Sequence, residues 1–283
     1  MARVSIDNGS QQLSAEHSGN PAGPAVLFLH GITSSADTWL ESAERLADRF
    51  DCWALDFRSH GFSERSTTPP TLTDYAADAA AVLQQIGRPT IVVGHSLGGI
   101  TAAHLAHEAH PLLKAVFLED PPLFLIDPVV LASTLYPNMF TMLRDAVAKL
   151  QAAEEPFEVF VDFARNLPSP MGGVAGDHTT ERQVLCRARQ NQQFDPSVLD
   201  SAIDGGVFAG LNPHRPMGCP VTLLAANDAY GAAFLSGDAE RLLAHSPHAE
   251  VLDFAEVGHS IHMSKVSEAR FLAELDRFVT AHA

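Results

Sequence analysis

Cysteine is scarce in this chain, and the few cysteines present are far apart. Cys52, Cys186 and Cys219 are odd in number, and no two of them have a Cys-x-x-Cys spacing. Disulfide frameworks use an even set of cysteines, and structural zinc sites place them in closely spaced pairs. The pattern therefore indicates neither kind of site and predicts buried, reduced thiols.

Basic residues are also few. The 283 residues include 18 Lys and Arg against 34 Asp and Glu, a formal net charge of −16, and no basic cluster stands out. Proteins that bind nucleic acids need a basic face, and anionic membranes repel an acidic one. We therefore expect neither a nucleic acid nor a membrane as a partner.

Long hydrophobic runs are missing. No stretch is long enough to span a bilayer, and residues 1–9 lack the apolar run that is typical of a signal peptide. These absences predict a soluble, cytoplasmic protein. Hydrophobic residues nevertheless make up 46% of the chain, which is enough for a sizeable core, so disorder is not expected.

Short apolar runs alternate with amphipathic stretches in the first part of the chain. The runs at residues 25–29, 52–56, 91–93 and 114–119 are predicted to be buried strands. The stretches between them, such as residues 73–86, have the spacing of apolar residues that is typical of helices. Alternating strands and helices predict a mostly parallel sheet with helices on both faces.

The pattern changes between residues 121 and 216. Strand signals disappear there and helical stretches take over, until strands return near residue 220. We predict an α/β core domain formed by residues 1–120 and 217–283, with residues 121–216 inserted as a helical cap. Because ligands bind at the carboxyl ends of parallel strands, the cap is expected to cover that edge of the sheet.

Residues 91–106 predict a strand, a tight turn and a helix, with Gly-His-Ser-Leu-Gly at residues 94–98 in the turn. Glycine at both ends of this pentapeptide lets the strand and the helix approach closely. The turn exposes the Ser96 hydroxyl at a helix start, where free N–H groups and the helix dipole favour negative charge. These are the features of a nucleophile elbow, so Ser96 is the candidate nucleophile.

A serine hydroxyl becomes nucleophilic when a neighbouring base takes its proton, and a neutral histidine has a suitable pKa for this role. The chain contains 14 histidines, and several of them are explained equally well as solvated surface residues. His259 differs because it follows a glycine, between the last predicted strand at 250–254 and the closing helix at 268–282. His259 is therefore the candidate base.

Four motifs occur in order along the chain. They are His-Gly at 30–31, Asp-x-Arg-x-His-Gly-x-Ser at 56–63, Gly-His-Ser-Leu-Gly-Gly at 94–99 and Gly-His at 258–259. Together they resemble the α/β-hydrolase fold family, and the resemblance covers essentially the whole chain. The main departure is Ser59, which stands where the family most often has glycine.

The resemblance implies that Ser96 is the nucleophile and that His259 is the base. It also implies an oxyanion hole made of two backbone N–H groups, those of Ile32 and Leu97. Ile32 follows the His-Gly pair, and Leu97 follows the nucleophile. Serine at the elbow, rather than aspartate, argues against the haloalkane dehalogenase and epoxide hydrolase branches of the family.

The carboxylate that orients His259 is open between three candidates. The more common position in the family lies after the strand at 221–225, where Asp228 is available without the usual preceding glycine. Some members instead use the end of the strand after the elbow helix, where this chain has Glu119 and Asp120. We prefer Glu119, because a carboxylate that ends a buried strand needs a partner such as a histidine N–H. Asp120 precedes a proline and also fits the role of a turn cap.

The predicted function is hydrolysis of a carboxylic ester or lactone through an acyl-enzyme on Ser96. The substrate is expected to be a small to medium, largely apolar molecule, with no metal and no organic cofactor implied, and the sequence leaves the oligomeric state open. The same triad also fits a hydrolase of carbon–carbon bonds in diketones, or a cofactor-free perhydrolase. A non-catalytic ligand receptor on this fold is the alternative from another class.

Overall fold

The computed structural model describes residues 2–283 and contains one eight-stranded sheet. The strands are β1 Ala2–Asp7, β2 Gln12–Gly19, β3 Ala25–Leu29, β4 Asp51–Asp56, β5 Thr90–His95, β6 Leu113–Glu119, β7 Val221–Ala226 and β8 Glu250–Phe254. Their order across the sheet is β1-β2-β4-β3-β5-β6-β7-β8. The first two strands form an antiparallel hairpin on β4, and all other neighbours are parallel. The predicted mostly parallel sheet is confirmed.

Eleven α-helices surround this sheet in residues 2–283. They are α1 Leu40–Leu46, α2 Leu72–Ile86, α3 Leu97–His107, α4 Pro128–Ser133, α5 Tyr136–Ala152, α6 Phe157–Asn166, α7 Ala175–His178, α8 Glu181–Gln193, α9 Val198–Ile203, α10 Asp238–His245 and α11 Glu268–Ala281. Short 3-10 helices lie at Ala36–Trp39, Gly206–Phe208, Asp228–Tyr230 and Ile261–Met263. None of the helices between residues 2 and 283 has both the length and the apolar character needed to cross a membrane.

The central strands are buried on both faces, as their continuous apolar sequences predict. In β3, Leu27 and Leu29 belong to one core cluster, while Val26 and Phe28 belong to a second one. Side chains alternate between the two faces of a strand, so the two clusters lie on opposite sides of the sheet. Helices therefore cover both faces, and the carboxyl edge of the sheet is where the loops meet.

Helices α4 to α9 all lie between β6 and β7. They belong to residues 121–216, the cap segment. Tyr136 and Phe208 of the cap share a core cluster with Ile100, in the first turn of α3. Because α3 starts two residues after the end of β5, this shared cluster places the cap at the carboxyl edge of the sheet. Residues 121–216 therefore pack at the edge of the sheet where Ser96 lies.

Candidate active site

Ser96 lies between the last residue of β5 and the first residue of α3. Its backbone has φ 52° and ψ −112°, a conformation that residues other than glycine rarely adopt. Its N–H donates to the carbonyl of Glu119 at 3.0 Å, which ties the turn to the end of β6. Backbone strain of this kind persists only where the surrounding structure enforces it, and it concentrates at functional sites. The predicted strand, turn and helix are confirmed.

Glycine at position 98 is required by close packing between the start of α3 and β3. A Cβ atom at Gly98 would collide with the backbone carbonyl of Leu29. A Cβ atom at Gly94 would likewise collide with the carbonyl of Gly98. The two glycines of the pentapeptide thus allow the approach that places Ser96 above the sheet.

We expect Gly98→Ala to lower the free energy of unfolding by about 3 kcal/mol, because backbone atoms cannot move aside as a flexible side chain can. The matched control is Gly218→Ala, where the nearest atoms to the new Cβ are 3.8 Å away. That variant should change stability by less than about 1 kcal/mol. Urea unfolding of both proteins measures the difference, and equal stabilities would contradict the close approach at Gly98.

Ile32 and Leu97, the two proposed oxyanion residues, line the same cavity as Ser96. Leu97 is the first residue of α3, and the first N–H groups of a helix have no partner within the helix. Ile32 is held by the preceding peptide, because the Gly31 carbonyl accepts from His30 Nδ1 at 2.8 Å and from the Ser34 N–H at 2.9 Å. In a trans peptide the N–H points away from the carbonyl, so the Ile32 N–H faces away from these two donors.

The protonation of His30 is set by its partners. Its Nε2 accepts from the N–H of Phe57 at 3.0 Å, so the ring hydrogen is on Nδ1, which donates to the Gly31 carbonyl. Burial, and next the nearby His60, hold the pKa of His30 well below its usual value, so the ring is neutral. The His-Gly pair therefore fixes the peptide that carries the Ile32 N–H.

Asp120 is the carboxylate that contacts His259. Its Oδ2 is 2.6 Å from Nδ1 of His259, and its side chain is fully buried. The backbone N–H groups of Ala226, Ala233 and Phe234 also donate to its two oxygens, at 2.7 to 3.3 Å. Hydrogen bonds from several N–H groups stabilise a buried carboxylate in its charged form. Asp120 has φ 41°, so it too is held in a strained conformation.

The preference for Glu119 as the partner of His259 is wrong. The carboxylate of Glu119 binds His262 instead, at 2.8 and 2.9 Å from Nδ1 and at 2.9 Å from the backbone N–H. Asp120 lies just past the end of β6, with φ 41°, and the two adjacent carboxylates contact different rings. The buried carboxylate at the strand end does have a histidine partner, but it is the histidine three residues further on.

The alternative carboxylate, Asp228, does not reach His259 either. It is an exposed residue at the start of a short 3-10 helix, and its Oδ2 accepts from the N–H of Ser236 at 3.0 Å. Asp228 therefore stabilises its own loop. Of the three acids that the sequence left open, Asp120 is the one that the fold brings to His259.

His95 links the elbow to the loop of His259. Its Nε2 donates to the carbonyl of His259 at 3.1 Å, and the two rings are 4.7 Å apart between centroids. Burial, and next the neighbouring His259 and His262, hold the pKa of His95 well below its usual value. A neutral His95, directly before Ser96, thus fixes the backbone that carries the candidate base. Sequence reasoning did not assign this role, because any one of 14 histidines is a weak signal.

An apolar cavity lies beside Ser96, with about 410 Å³ of space that protein atoms do not fill, part of it open to solvent. Its wall is formed by Ile32, by Ser96 and residues of α3, by residues of the cap and by Ala233. The only side-chain oxygens in this wall are those of Ser96 and Tyr136, and the Tyr136 hydroxyl donates to the Gly231 carbonyl at 2.7 Å. The Tyr136 ring also contacts the ring of His259 edge to face, at 5.5 Å. The cavity therefore suits an uncharged, apolar group.

Known proteins resemble this chain in sequence and in fold. The sequence model of the family described as Alpha/beta hydrolase family matches residues 26–275. The chain is 36% identical over 116 residues to 2-(acetamidomethylene)succinate hydrolase of Mesorhizobium japonicum, an alignment that spans only 41% of that protein's length and 41% of this chain. It is 26% identical over 281 residues to pimeloyl-[acyl-carrier protein] methyl ester esterase of Xanthomonas campestris pv. campestris, covering 92% of this chain and 96% of that protein.

Solved structures extend the likeness to the whole fold. A thermophilic esterase from Thermogutta terrifontis superposes with a TM-score of 0.70 at 19% identity, and the match covers 100% of both chains. At 19% identity this likeness shows the fold alone.

Proposed function

This chain belongs to the alpha/beta hydrolase family, and on that premise we propose that it is a serine hydrolase. The proposed reaction is cleavage of a carboxylic ester or lactone of a small to medium, largely apolar substrate. One observation carries the proposal: a buried Asp120 contacts Nδ1 of His259 at 2.6 Å, in the loop that packs beside the strained Ser96 turn. An acid, an imidazole and a serine in this relation are what acyl transfer requires.

The proposed mechanism uses five residues. The Ser96 hydroxyl attacks the carbonyl carbon of the substrate while Nε2 of His259 accepts its proton. Asp120 keeps the ring hydrogen of His259 on Nδ1 and stabilises the imidazolium that forms. The negative charge on the former carbonyl oxygen is received by the N–H groups of Ile32 and Leu97. His259 then gives its proton to the departing alcohol, and water later releases the acyl group from Ser96.

The apolar cavity supports the choice of substrate. Its wall offers no charged side chain and no free hydroxyl besides that of Ser96. A polar or charged group placed there would lose its hydration without gaining a partner. An alkyl or aryl portion of an ester would instead bury apolar surface against this wall.

The test is covalent labelling together with turnover. We expect the protein to hydrolyse p-nitrophenyl butyrate, and an organophosphonate to inactivate it with one label per chain. Peptide mapping should place that label on Ser96, and the Ser96→Ala variant should take up no label. Failure of both turnover and labelling would overturn the proposal and favour a ligand receptor on this fold.

A further inference from the structure

Arg187, on the cap helix α8, is a cation without a carboxylate partner. Each of the other arginines has an Asp or Glu oxygen within 4.0 Å; for Arg187 no such contact occurs in residues 2–283. The chain has 34 acidic residues against 18 basic ones, so the missing partner does not reflect a shortage of carboxylates. The two other arginines of this helix, Arg182 and Arg189, are paired with Glu44 and Asp37.

The guanidinium of Arg187 is only partly satisfied by neutral groups. Nη1 donates to the Thr33 hydroxyl at 2.8 Å and to the Thr33 carbonyl at 3.3 Å, and Nη2 contacts the sulfur of Met263 at 3.7 Å. Arginine has five N–H donors, and sulfur is a weak acceptor. Burial lowers the pKa of the guanidinium, but arginine remains charged in proteins. A partly buried charge is thus left without a counter-charge, which destabilises the protein as it stands.

The position of this charge relates it to the candidate active site. Thr33 directly follows Ile32, whose N–H is a proposed oxyanion donor. Met263 lies four residues after His259, the proposed base. The guanidinium therefore lies between the two loops that carry these groups. Its charge is also among those that lower the pKa of His95, the residue before Ser96.

We propose that Arg187 binds a carboxylate of the substrate and so selects esters that carry one negative charge. This inference rests on the proposed function and deepens it: the apolar portion of the substrate occupies the cavity, and the carboxylate lies outside it at Arg187. The planar guanidinium matches a carboxylate in geometry. A single uncompensated positive charge balances a monoanion, whereas a phosphate dianion would need a second cation, and the other arginines of α8 are already neutralised.

A purely structural role makes a different prediction. The two hydrogen bonds to Thr33 tether the cap to the core, and any side chain with an N–H donor serves that purpose. In a purely structural role, the side chain at position 187 needs no charge, and its replacement should not change the preference between substrates. The charge itself is therefore the feature to be tested, with variants that separate it from the hydrogen bonds.

The kinetic test compares two esters of the same size and shape, the anion 4-acetoxybenzoate and the neutral 4-acetoxybenzamide. We expect Arg187→Gln to lower kcat/KM for the benzoate by about tenfold or more, because a charge-assisted hydrogen bond is lost, and for the benzamide by less than about threefold. Arg187→Lys keeps the charge and should retain part of the preference. Arg189→Gln is the matched control, since it removes a paired charge from the same helix, and it should affect both esters alike.

A binding measurement separates this inference from the proposed function. The ligands here are unsubstituted benzoate and benzamide, which contain no ester. Calorimetry should show that the wild-type protein binds benzoate about tenfold more tightly than benzamide, and that the Arg187→Gln variant binds the two with equal affinity. This result needs no turnover, so it stands even if the protein hydrolyses no ester and takes up no organophosphonate label, the outcome that would overturn the proposed function alone. Equal affinities in the wild-type protein, or equal losses for both esters in Arg187→Gln, would overturn the role of Arg187.

Discussion

Asp120→Asn is expected to lower kcat/KM for a p-nitrophenyl ester about 10,000-fold while the protein stays folded. In the wild-type protein the 2.6 Å contact with Asp120 holds the ring hydrogen of His259 on Nδ1. An asparagine that turns its amide nitrogen toward this atom donates a hydrogen bond to it. The ring hydrogen then moves to Nε2, which can no longer accept the proton of Ser96.

The surroundings of Asp120 favour this unproductive arrangement. Oδ1 accepts from the N–H groups of Ala226 and Phe234, whereas Oδ2 accepts from one N–H, that of Ala233, and from His259. An amide nitrogen in the Oδ1 position would face two N–H donors, and in the Oδ2 position only one. The asparagine is therefore expected to place its nitrogen toward His259.

Two other acid variants serve as controls for this prediction. Asp228→Asn alters an exposed side chain whose contact is with the N–H of Ser236, so its activity should stay within about threefold of the wild type. Glu119→Gln retains an acceptor for His262 and should lose far less activity than Asp120→Asn. Circular dichroism confirms that each variant is folded. Should Glu119→Gln or Asp228→Asn prove the most damaging of the three, Asp120 is not the acid of the triad.

Much of the architecture could be predicted because it depends on local patterns. Continuous apolar runs at 25–29 and 91–93 predict strands buried on both faces, and these are β3 and β5. The Gly-His-Ser-Leu-Gly pentapeptide predicts a tight turn, and the required close approach at Gly98 is present. Even Ser59, which departs from the family, keeps the left-handed conformation that glycine usually provides, with φ 65°. Its hydroxyl accepts a hydrogen bond from the N–H of Ser66 at 2.8 Å, which stabilises this conformation.

The acid could not be predicted because it depends on contacts between distant segments. Glu119 and Asp120 are adjacent, and His259 and His262 are three residues apart, so the sequence permits either pairing. The structure pairs Asp120 with His259 and Glu119 with His262, across 139 and 143 residues. Asp120 lies beyond the end of β6 and has φ 41°, so the alternation of side chains along the strand gives no signal for which acid reaches His259. Arg187 carries no local signal at all, because only the fold shows that it lacks a carboxylate.

His259→Ala is expected to lower kcat/KM about a million-fold, and adding Asp120→Asn to that variant should cause no further loss. Asp120 acts on the reaction through the ring it contacts at 2.6 Å. Once the ring is gone, neither the tautomer nor the imidazolium is left for Asp120 to stabilise. Single-turnover measurements with excess enzyme, corrected for spontaneous ester hydrolysis, give the rates of both single variants and of the double variant.

The comparison of the two single variants with the double variant tests whether Asp120 and His259 work as one catalytic unit. Residues that act independently have multiplicative effects on the rate, whereas members of one catalytic unit do not. Arg187→Gln provides a control for independent effects. With 4-acetoxybenzoate as substrate, this variant weakens substrate binding and not proton transfer. The fold losses in kcat/KM from Arg187→Gln and from Asp120→Asn should therefore multiply in the double variant. A double variant Asp120→Asn/His259→Ala that is much slower than His259→Ala would show that Asp120 contributes by another route, such as the three backbone N–H groups it holds in place.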